Sequence, residues 1–277
     1  MSGKLYVVGT PIGNLGDMTF RAVETLKAVD FICAEDTRVS AKLLNYFNIK
    51  KPLVSHHEHN SKSSADIITT RIVNGESCAI VTDAGMPCIS DPGEDLVAMC
   101  VENGVEVVAV PGPTAMASAL AISGLPTARF SFQGFLSVSK RSRYEHLASV
   151  SKNCETMIFY EAPHKLTTTL DDMLKYFGDR RIAMCRELTK IHEEVLRMTI
   201  SEACEYYKNN SPRGEYVLVV EGSKEEATAE DTLETAFEKV KALIDNGMRA
   251  ADACKQIAKT TGFSKSELYA LTLDGGE

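Results

Sequence analysis

Between Thr82 and Gly93 the chain reads Thr-Asp-Ala-Gly-Met-Pro-Cys-Ile-Ser-Asp-Pro-Gly, which brings two carboxylates, a hydroxyl and permissive glycines together without a lysine or arginine. A loop of that charge repels phosphate and attracts a sulfonium or an amino group. Asp91 is expected to cap the helix that follows Pro92, a role that leaves Asp83 unexplained. Two more glycine- and proline-rich loops follow apolar runs: Gly9-Thr10-Pro11-Ile12-Gly13-Asn14-Leu15-Gly16 and Val110-Pro111-Gly112-Pro113-Thr114-Ala115. Neither matches the dinucleotide fingerprint or the phosphate loop. Pro11 and Asn14, set between glycines, suit a rigid ligand-facing turn, and Thr114 can offer a hydroxyl and an amide at a helix start.

Other polar clusters also lie beyond apolar runs. Glu35-Asp36-Thr37-Arg38 is one, and His56-His57-Glu58-His59-Asn60 is another. Three histidines within four residues could ligate zinc, but neighbouring side chains on an extended loop point apart. Substrate contact or proton transfer by a neutral imidazole suits them better, and no metal is assigned. In the second half, Tyr160-Glu161-Ala162-Pro163-His164-Lys165 and Cys185-Arg186-Glu187-Leu188-Thr189-Lys190 repeat the theme, although each could be a set of exposed ion pairs. The densest basic tract, Lys140-Arg141-Ser142-Arg143-Tyr144, reads either as a solvated helix start or as an RNA-binding arm with one stacking aromatic.

These loops need strands to hold them. Leu5–Val8, Phe31–Ala34, Ala79–Val81 and Val105–Val110 are apolar and β-rich, and the amphipathic stretches Arg21–Ala28, Ala41–Phe47, Ser64–Val73 and Leu96–Glu102 lie between them. That alternation predicts βαβ units on a largely parallel sheet. Phe130–Gln133, Met157–Tyr160, Ile182–Arg186, Leu196–Ile200 and Tyr216–Glu221 form a second set, with helices near Arg143–Ser149, His164–Tyr176 and Ser201–Lys208. The expected organisation is an N-terminal α/β domain (1–118), a second α/β domain (119–222) joined to it within Ala117 to Ala128, and an acidic linker with a helical tail (223–277). The tail resembles a helix-turn-helix in outline, but a packing or dimerisation element fits its few basic residues better.

The 277 residues, 44% hydrophobic and 25% charged, suffice for two cores. No run reaches the roughly 18 apolar residues of a membrane helix, and the first residues lack a secretory pattern, so no membrane association and a cytoplasmic location are expected. Eight scattered cysteines without a C-x-x-C suit a reducing compartment. A net charge of -8 argues against nucleic acid, yet six acids and no base fall between Glu225 and Glu238, so the rest is close to neutral.

At these loops the chain resembles the tetrapyrrole-methylase superfamily, and within it the branch that methylates a ribose of small-subunit ribosomal RNA. The resemblance rests on GTPIGNLGDMTFRA (9–22), AEDTRVSAKLL (34–44), HHEHN (56–60), DAGMPCISDPG (83–93), VPGPTA (110–115), FYEAPHK (159–165), RELTKIHEE (186–194) and RGEYVLVVEG (213–222). It implies a homodimer with S-adenosylmethionine folded into a cleft between the domains, against Asp83, Ala84, Gly85, Met86, Thr114 and Ala115, with Ala162, Pro163 and Gly214 from the second domain. Pro11, Pro87, Ser90, Asp91 and Tyr160 belong to the same loops and are counted with them. The branch usually has a proline and a dense basic run after Gly134-Phe135-Leu136, where this chain has Ser137-Val138-Ser139.

The implied activity is methylation of the 2′-oxygen of one decoding-centre cytidine of 16S rRNA, within the small ribosomal subunit and not on DNA. Asp36, Arg38, His57, Glu187 and Lys190 are the candidates for positioning and proton handling, and Asn14, Lys140, Arg141 and Arg143 for holding RNA. A tetrapyrrole or a protein side chain is the alternative substrate. A non-enzymatic nucleotide-sensing or ribosome-assembly role is the reading from a different class.

Overall fold

The computed structural model describes residues 2–57, 60–224, 233–245, 247–258, 261 and 263–274. Glu58 and His59 of the histidine cluster, and most of the acidic stretch before the tail, lie outside the described residues.

Five short strands make the first sheet: β1 (Lys4–Val8), β2 (Phe31–Ala34), β3 (Leu53–Ser55), β4 (Cys78–Val81) and β5 (Glu106–Val110). Their order is β3-β2-β4-β1-β5, and every pairing is parallel. Parallel strands are covered on both faces, and the residues divide accordingly. On one face Leu5, Phe31, Cys33, Cys78 and Ile80 pack under Ala65, Ile68 and Ile72 of α3 (Ser61–Val73) and Leu96 and Cys100 of α4 (Glu94–Glu102). On the other, Val8, Ile32, Ala34, Ala79 and Val81 pack under Ala22 and Leu26 of α1 (Phe20–Ala28) and Leu44 of α2 (Thr37–Tyr46). The alternation along β2, Phe31 and Cys33 against Ile32 and Ala34, is the strand period of two.

The second sheet has the order β6-β7-β10-β8-β9, from β6 (Phe130–Phe135), β7 (Thr156–Glu161), β8 (Arg181–Arg186), β9 (Glu194–Thr199) and β10 (Tyr216–Val220). Only β6 and β7 are parallel; the other pairings are antiparallel. One face packs on α6 (Lys140–Val150), α7 (Leu166–Phe177) and α8 (Ile200–Asn209) through Leu147, Leu170, Met173, Ile200 and Ala203. The other face, with Ile158, Ala183, Val217 and Val219, takes Ala119 and Leu120 of α5 (Ala115–Ile122), and Ile12 and Met116 join it.

The fold is therefore α/β with two sheets and a helical C-terminal end, as the alternation of runs predicts. Two elements differ from the sequence reading. β3 was not among the expected strands: three residues behind Pro52 carry too little pattern. The segment Ala117 to Ala128 begins as helix, because α5 is alanine-rich and apolar all round and binds the second sheet rather than spanning open space.

Gly222–Glu277, with Lys152–Cys154, forms a separate compact unit. Its helices α9 (Leu233–Asp245), α10 (Ala250–Ile257) and α11 (Lys265–Asp274) share a small core of Ala236, Val240, Ala253, Cys254, Ile257 and Leu268.

At the site end of the first sheet, the backbones that leave β1 and β5 nearly touch. A Cβ on Gly112 would lie 2.8 Å from Gly9 Cα, and the Gly9 amide donates to the Val110 carbonyl at 3.1 Å. Gly112→Ala must force these backbones apart, and a loss of about 2 kcal/mol is expected. A urea midpoint shifted downward with an unchanged slope checks this; an unshifted midpoint refutes it.

Candidate functional site

The loops that follow β1, β4 and β5 meet at one edge of the parallel sheet. Because β1 and β4 are neighbours whose connections leave in opposite directions, this is a switch point of the topology, where open α/β sheets form their crevices. An isolated bridge locks the first two loops together: the Thr10 amide donates to Gly85 O at 2.8 Å, and the Gly85 amide returns a bond to Thr10 O at 3.1 Å. The second sheet closes the crevice. Tyr160, at the end of β7, accepts a hydrogen bond from the Met116 amide at 3.1 Å, and its ring stands edge-on to Phe132 and Phe135.

The open cavity between the sheets has a volume of about 500 Å³. Of the residues expected to hold a ligand, Asp83, Ala84, Met86, Ser90, Asp91, Thr114, Ala115, Tyr160, Ala162 and Pro163 line it, as do Glu187 and Lys190. Pro11, Gly85 and Pro87 are buried outside the lining, and Gly214 is also outside it. Asp36, Arg38 and His57 do not line it either. Ile12, Glu35, Ile89, Phe135, Glu161, Cys185, Leu188, Glu215, Tyr216 and Val217 complete the wall. Glu35 and Glu161 stand in loops already singled out in the sequence, whereas Glu215, Tyr216 and Val217 arrive only because β10 runs between β7 and β8.

The first-sheet wall is acidic. Thr82, only 2% exposed, places its hydroxyl oxygen 2.9 Å from Glu35 Oε2 and 3.0 Å from Asp91 Oδ1. Desolvation, then the charges of Glu35 and Asp83, push the Asp91 carboxyl up to about 6 against the opposing bond from Thr82. Desolvation and Glu35 also raise Asp83, which accepts the Asp36 amide at 3.3 Å. Asp91 does not cap α4 as expected; Gly93 occupies the N-cap, and the Asp91 carboxylate turns inward to Thr82. Asp36 is the residue that caps, bonding the Arg38 amide at 2.8 Å in front of α2. It also grips the Arg38 side chain through Nε at 3.0 Å and Nη2 at 2.6 Å, which holds its own carboxyl far below the usual range.

The second-sheet wall carries the lysine of the lining. Lys190 Nζ donates to Glu187 Oε1 at 2.8 Å and Glu215 Oε2 at 2.9 Å. Burial works against its charge, but the two carboxylates hold the ammonium above its ordinary range, and the Lys190 bond holds Glu187 below its own. Gly214, at φ +73°, lets the Glu187 side chain lie here, since a Cβ at that position would stand 2.4 Å from Glu187 Cγ. Glu161, 2% exposed, is absorbed by structure: it accepts from the Ala162 amide at 2.9 Å and the Thr169 hydroxyl at 2.6 Å, and pairs with Lys165 at 3.4 Å.

Strain collects in these walls. Cys88, Ser90, Glu187 and Thr189 are four of the five non-glycine residues at positive φ among the described residues. Each costs of order 1–3 kcal/mol and persists only where its surroundings hold it.

The remaining candidates fall elsewhere. Asn14 is exposed, and its side chain accepts the Gly16 amide at 2.9 Å. The His57 amide donates to Asn60 Oδ1, and His56 is buried against the Ser64 hydroxyl at 2.8 Å. Lys140 and Arg141 are exposed at the start of α6. Arg143 corrects the sequence reading: at 11% exposure it is ion-paired with Asp172 at 2.7 Å and donates to the carbonyls of Ser137 and Val138, so it is withdrawn from the surface. Tyr144 packs at a tilt against Tyr176 and takes Lys175 over its ring. Among the described residues no helix is long and apolar enough to cross a membrane.

The sequence model of the Tetrapyrrole (Corrin/Porphyrin) Methylases matches residues 4–204, which places this paired-sheet α/β molecule in a methylase class. The fold agrees: uroporphyrin-III-C-methyltransferase from Thermus thermophilus superposes with a TM-score of 0.56 at 18% identity, over 79% of this chain and 94% of that one. Ribosomal RNA small subunit methyltransferase I of Synechocystis sp. is 44% identical over 98% of both chains, and that of Bacillus subtilis 47% identical over 96% of this chain and 93% of its own. The chain belongs to the tetrapyrrole methylase family, in the branch of the ribosomal RNA small subunit methyltransferases I.

Asp91 binds its proton more tightly in the folded chain than in the unfolded one, so folded stability falls as pH rises from the ordinary carboxyl range through about 6. Asp91→Asn removes that loss. Discounted for a half-buried group, the variant is expected to gain about 1 kcal/mol on the parent between pH 4 and pH 8. Urea unfolding at both pH values measures it, and an equal difference at the two pH values refutes it.

Proposed function

We propose that this chain uses S-adenosylmethionine to methylate the 2′-oxygen of a decoding-centre cytidine of 16S rRNA in the small ribosomal subunit. One observation carries the reading: the switch-point cavity has an acidic wall on the first sheet and a lysine held between two carboxylates on the second. A sulfonium donor fits that wall, where Glu35, Asp83 and Asp91 stand together. Ile12, Ile89, Phe135 and Leu188 offer apolar surface for an adenine, and Thr114, the N-cap of α5, makes no side-chain cap bond that would occupy its hydroxyl. The volume lies within the usual range for small-molecule sites.

When bound, S-adenosylmethionine supplies an electrophilic methyl group and its own leaving group. The protein's part is alignment and charge. Lys190, kept protonated by Glu187 and Glu215, serves as the cation that stabilises negative charge developing on the ribose oxygen. Glu187, ionised and bonded, positions it. Asp36 and Arg38 adjoin the cavity through Asp83, and Arg38, with 87% of its side chain exposed, can meet a phosphate of the RNA. Asn14, Lys140 and Arg141 form further RNA contacts. The target nucleotide is unstacked for the reaction, since its 2′-oxygen must enter the cavity. The protein works in the cytoplasm as a homodimer, with residues 1–118 and 119–222 as the two methylase domains and 223–277 as an appendage.

Purified chain, methyl-labelled donor and unmethylated small subunits test the assignment after digestion to nucleosides. Label in 2′-O-methylcytidine is expected. Label on a base, or RNA without label under conditions that methylate a tetrapyrrole or a protein, overturns it. Lys190→Ala is expected to lower kcat by about a hundredfold with donor Kd changed only a few-fold. A loss confined to donor affinity removes Lys190 from this role.

A further inference from the structure

The carboxyl pair around Thr82 has more acceptors than protons. A threonine hydroxyl carries one hydrogen and can donate to one partner at a time, yet its oxygen stands 2.9 Å from Glu35 Oε2 and 3.0 Å from Asp91 Oδ1. Thr82 is itself buried, with its backbone carbonyl 3.1 Å from Thr10 Oγ1. With both carboxylates ionised, one of them faces a hydroxyl lone pair across hydrogen-bond distance. A second proton, held on a carboxyl, turns that repulsion into a chain in which each oxygen has a partner.

The surroundings favour keeping that proton. Glu35 approaches Asp91 from the end of β2, Asp83 and Cys88 from the loop after β4, and Tyr160 from β7. Asp36 stands by Asp83, and Glu94, at the start of α4, by Cys88. Arg38 is the cation on this side, and both of its bonded nitrogens are engaged by Asp36. Lys190 belongs to the other wall, between Glu187 and Glu215. Desolvation is the largest cause that raises the Asp91 carboxyl, to about 6.

We propose that Glu35, Thr82 and Asp91 form a proton-holding cradle that exchanges its proton for the positive charge of the methyl donor, so that the cavity distinguishes the charged donor from its uncharged thioether product. This rests on the reading of the cavity as the donor site. The exchange balances: the donor brings one positive charge at sulfur, Asp91 loses one proton to solvent, and wall and donor together carry the charge that the wall had alone. The product has lost that positive charge with the methyl group, so near and below pH 6 Asp91 takes a proton back and the affinity advantage disappears. In that range product release is coupled to proton uptake at Asp91. Glu35 and Thr82 become specificity-determining residues on this account.

Calorimetry of the full chain with S-adenosylmethionine and with S-adenosylhomocysteine, each in two buffers of unlike ionisation heat, reads the protons directly. At pH 6 the donor is expected to release about half a proton and at pH 8 almost none, while the product releases far less at both. Donor affinity is expected to be about tenfold weaker at pH 5 than at pH 7, with a much flatter profile for the product. Two variants shift the midpoint in opposite directions. Glu35→Gln removes a like charge and lowers it; Thr82→Val removes the stabilising hydroxyl and raises it. A residue that merely supported the fold would move neither. Retained product binding shows in each case that the cavity has formed. Equal proton release for the two ligands, or none for either, overturns the cradle and leaves the donor site standing. If neither ligand binds, the donor-site reading fails and the cradle with it.

Discussion

Charge balance inside one cavity organises the site end of this molecule. Carboxylates of both sheets face a common space, and each wall handles the repulsion differently. On the second sheet Lys190 bridges Glu187 and Glu215, so the charges are settled internally. On the first sheet Arg38 is held by Asp36, and Glu35, Asp83 and Asp91 face the cavity, with Asp83 and Asp91 raised chiefly by desolvation. Such a wall is stabilised when a cation enters and destabilised by a phosphate. The acidic overall charge and the RNA reading therefore do not conflict, because the acidic groups line the cavity while exposed cations such as Arg38, Lys140 and Arg141 lie outside the lining.

Holding like charges together demands a rigid frame, and the backbone supplies it. The Thr10–Gly85 bridge, the near contact of Gly9 with Gly112 and the strained residues Cys88, Ser90, Glu187 and Thr189 all lie in or beside the cavity loops. Strain of that kind is tolerated because the sheets beneath are well packed, with Leu5, Phe31 and Phe159 fully buried.

The strands of the first sheet were legible because their residues are apolar on both faces and short helices separate them. Phe31–Ala34 is bounded in the structure as it is in the sequence. β3 was not legible, as its register comes from pairing with β2 rather than from its three residues. Much of the cavity could be read from loops that end strands, since Asp83, Asp91 and Thr114 follow β4 and β5 directly. Glu215, Tyr216 and Val217 could not, for only the β7-β10-β8 order brings them to the wall. Arg143 misled for a related reason: a basic tract looks solvated in a linear chain, and the acid that claims it, Asp172, sits on another helix.

That dependence on distant strands bears on how the protein is made. A wall that runs from Ile12 to Val217, with β10 inserted between β7 and β8, has no complete form in a nascent chain until β10 has left the exit tunnel. The unpaired carboxylates of the first sheet therefore face open water during most of synthesis, where they repel one another least. Only with the last strand does the acidic wall meet the wall that faces it across the cavity.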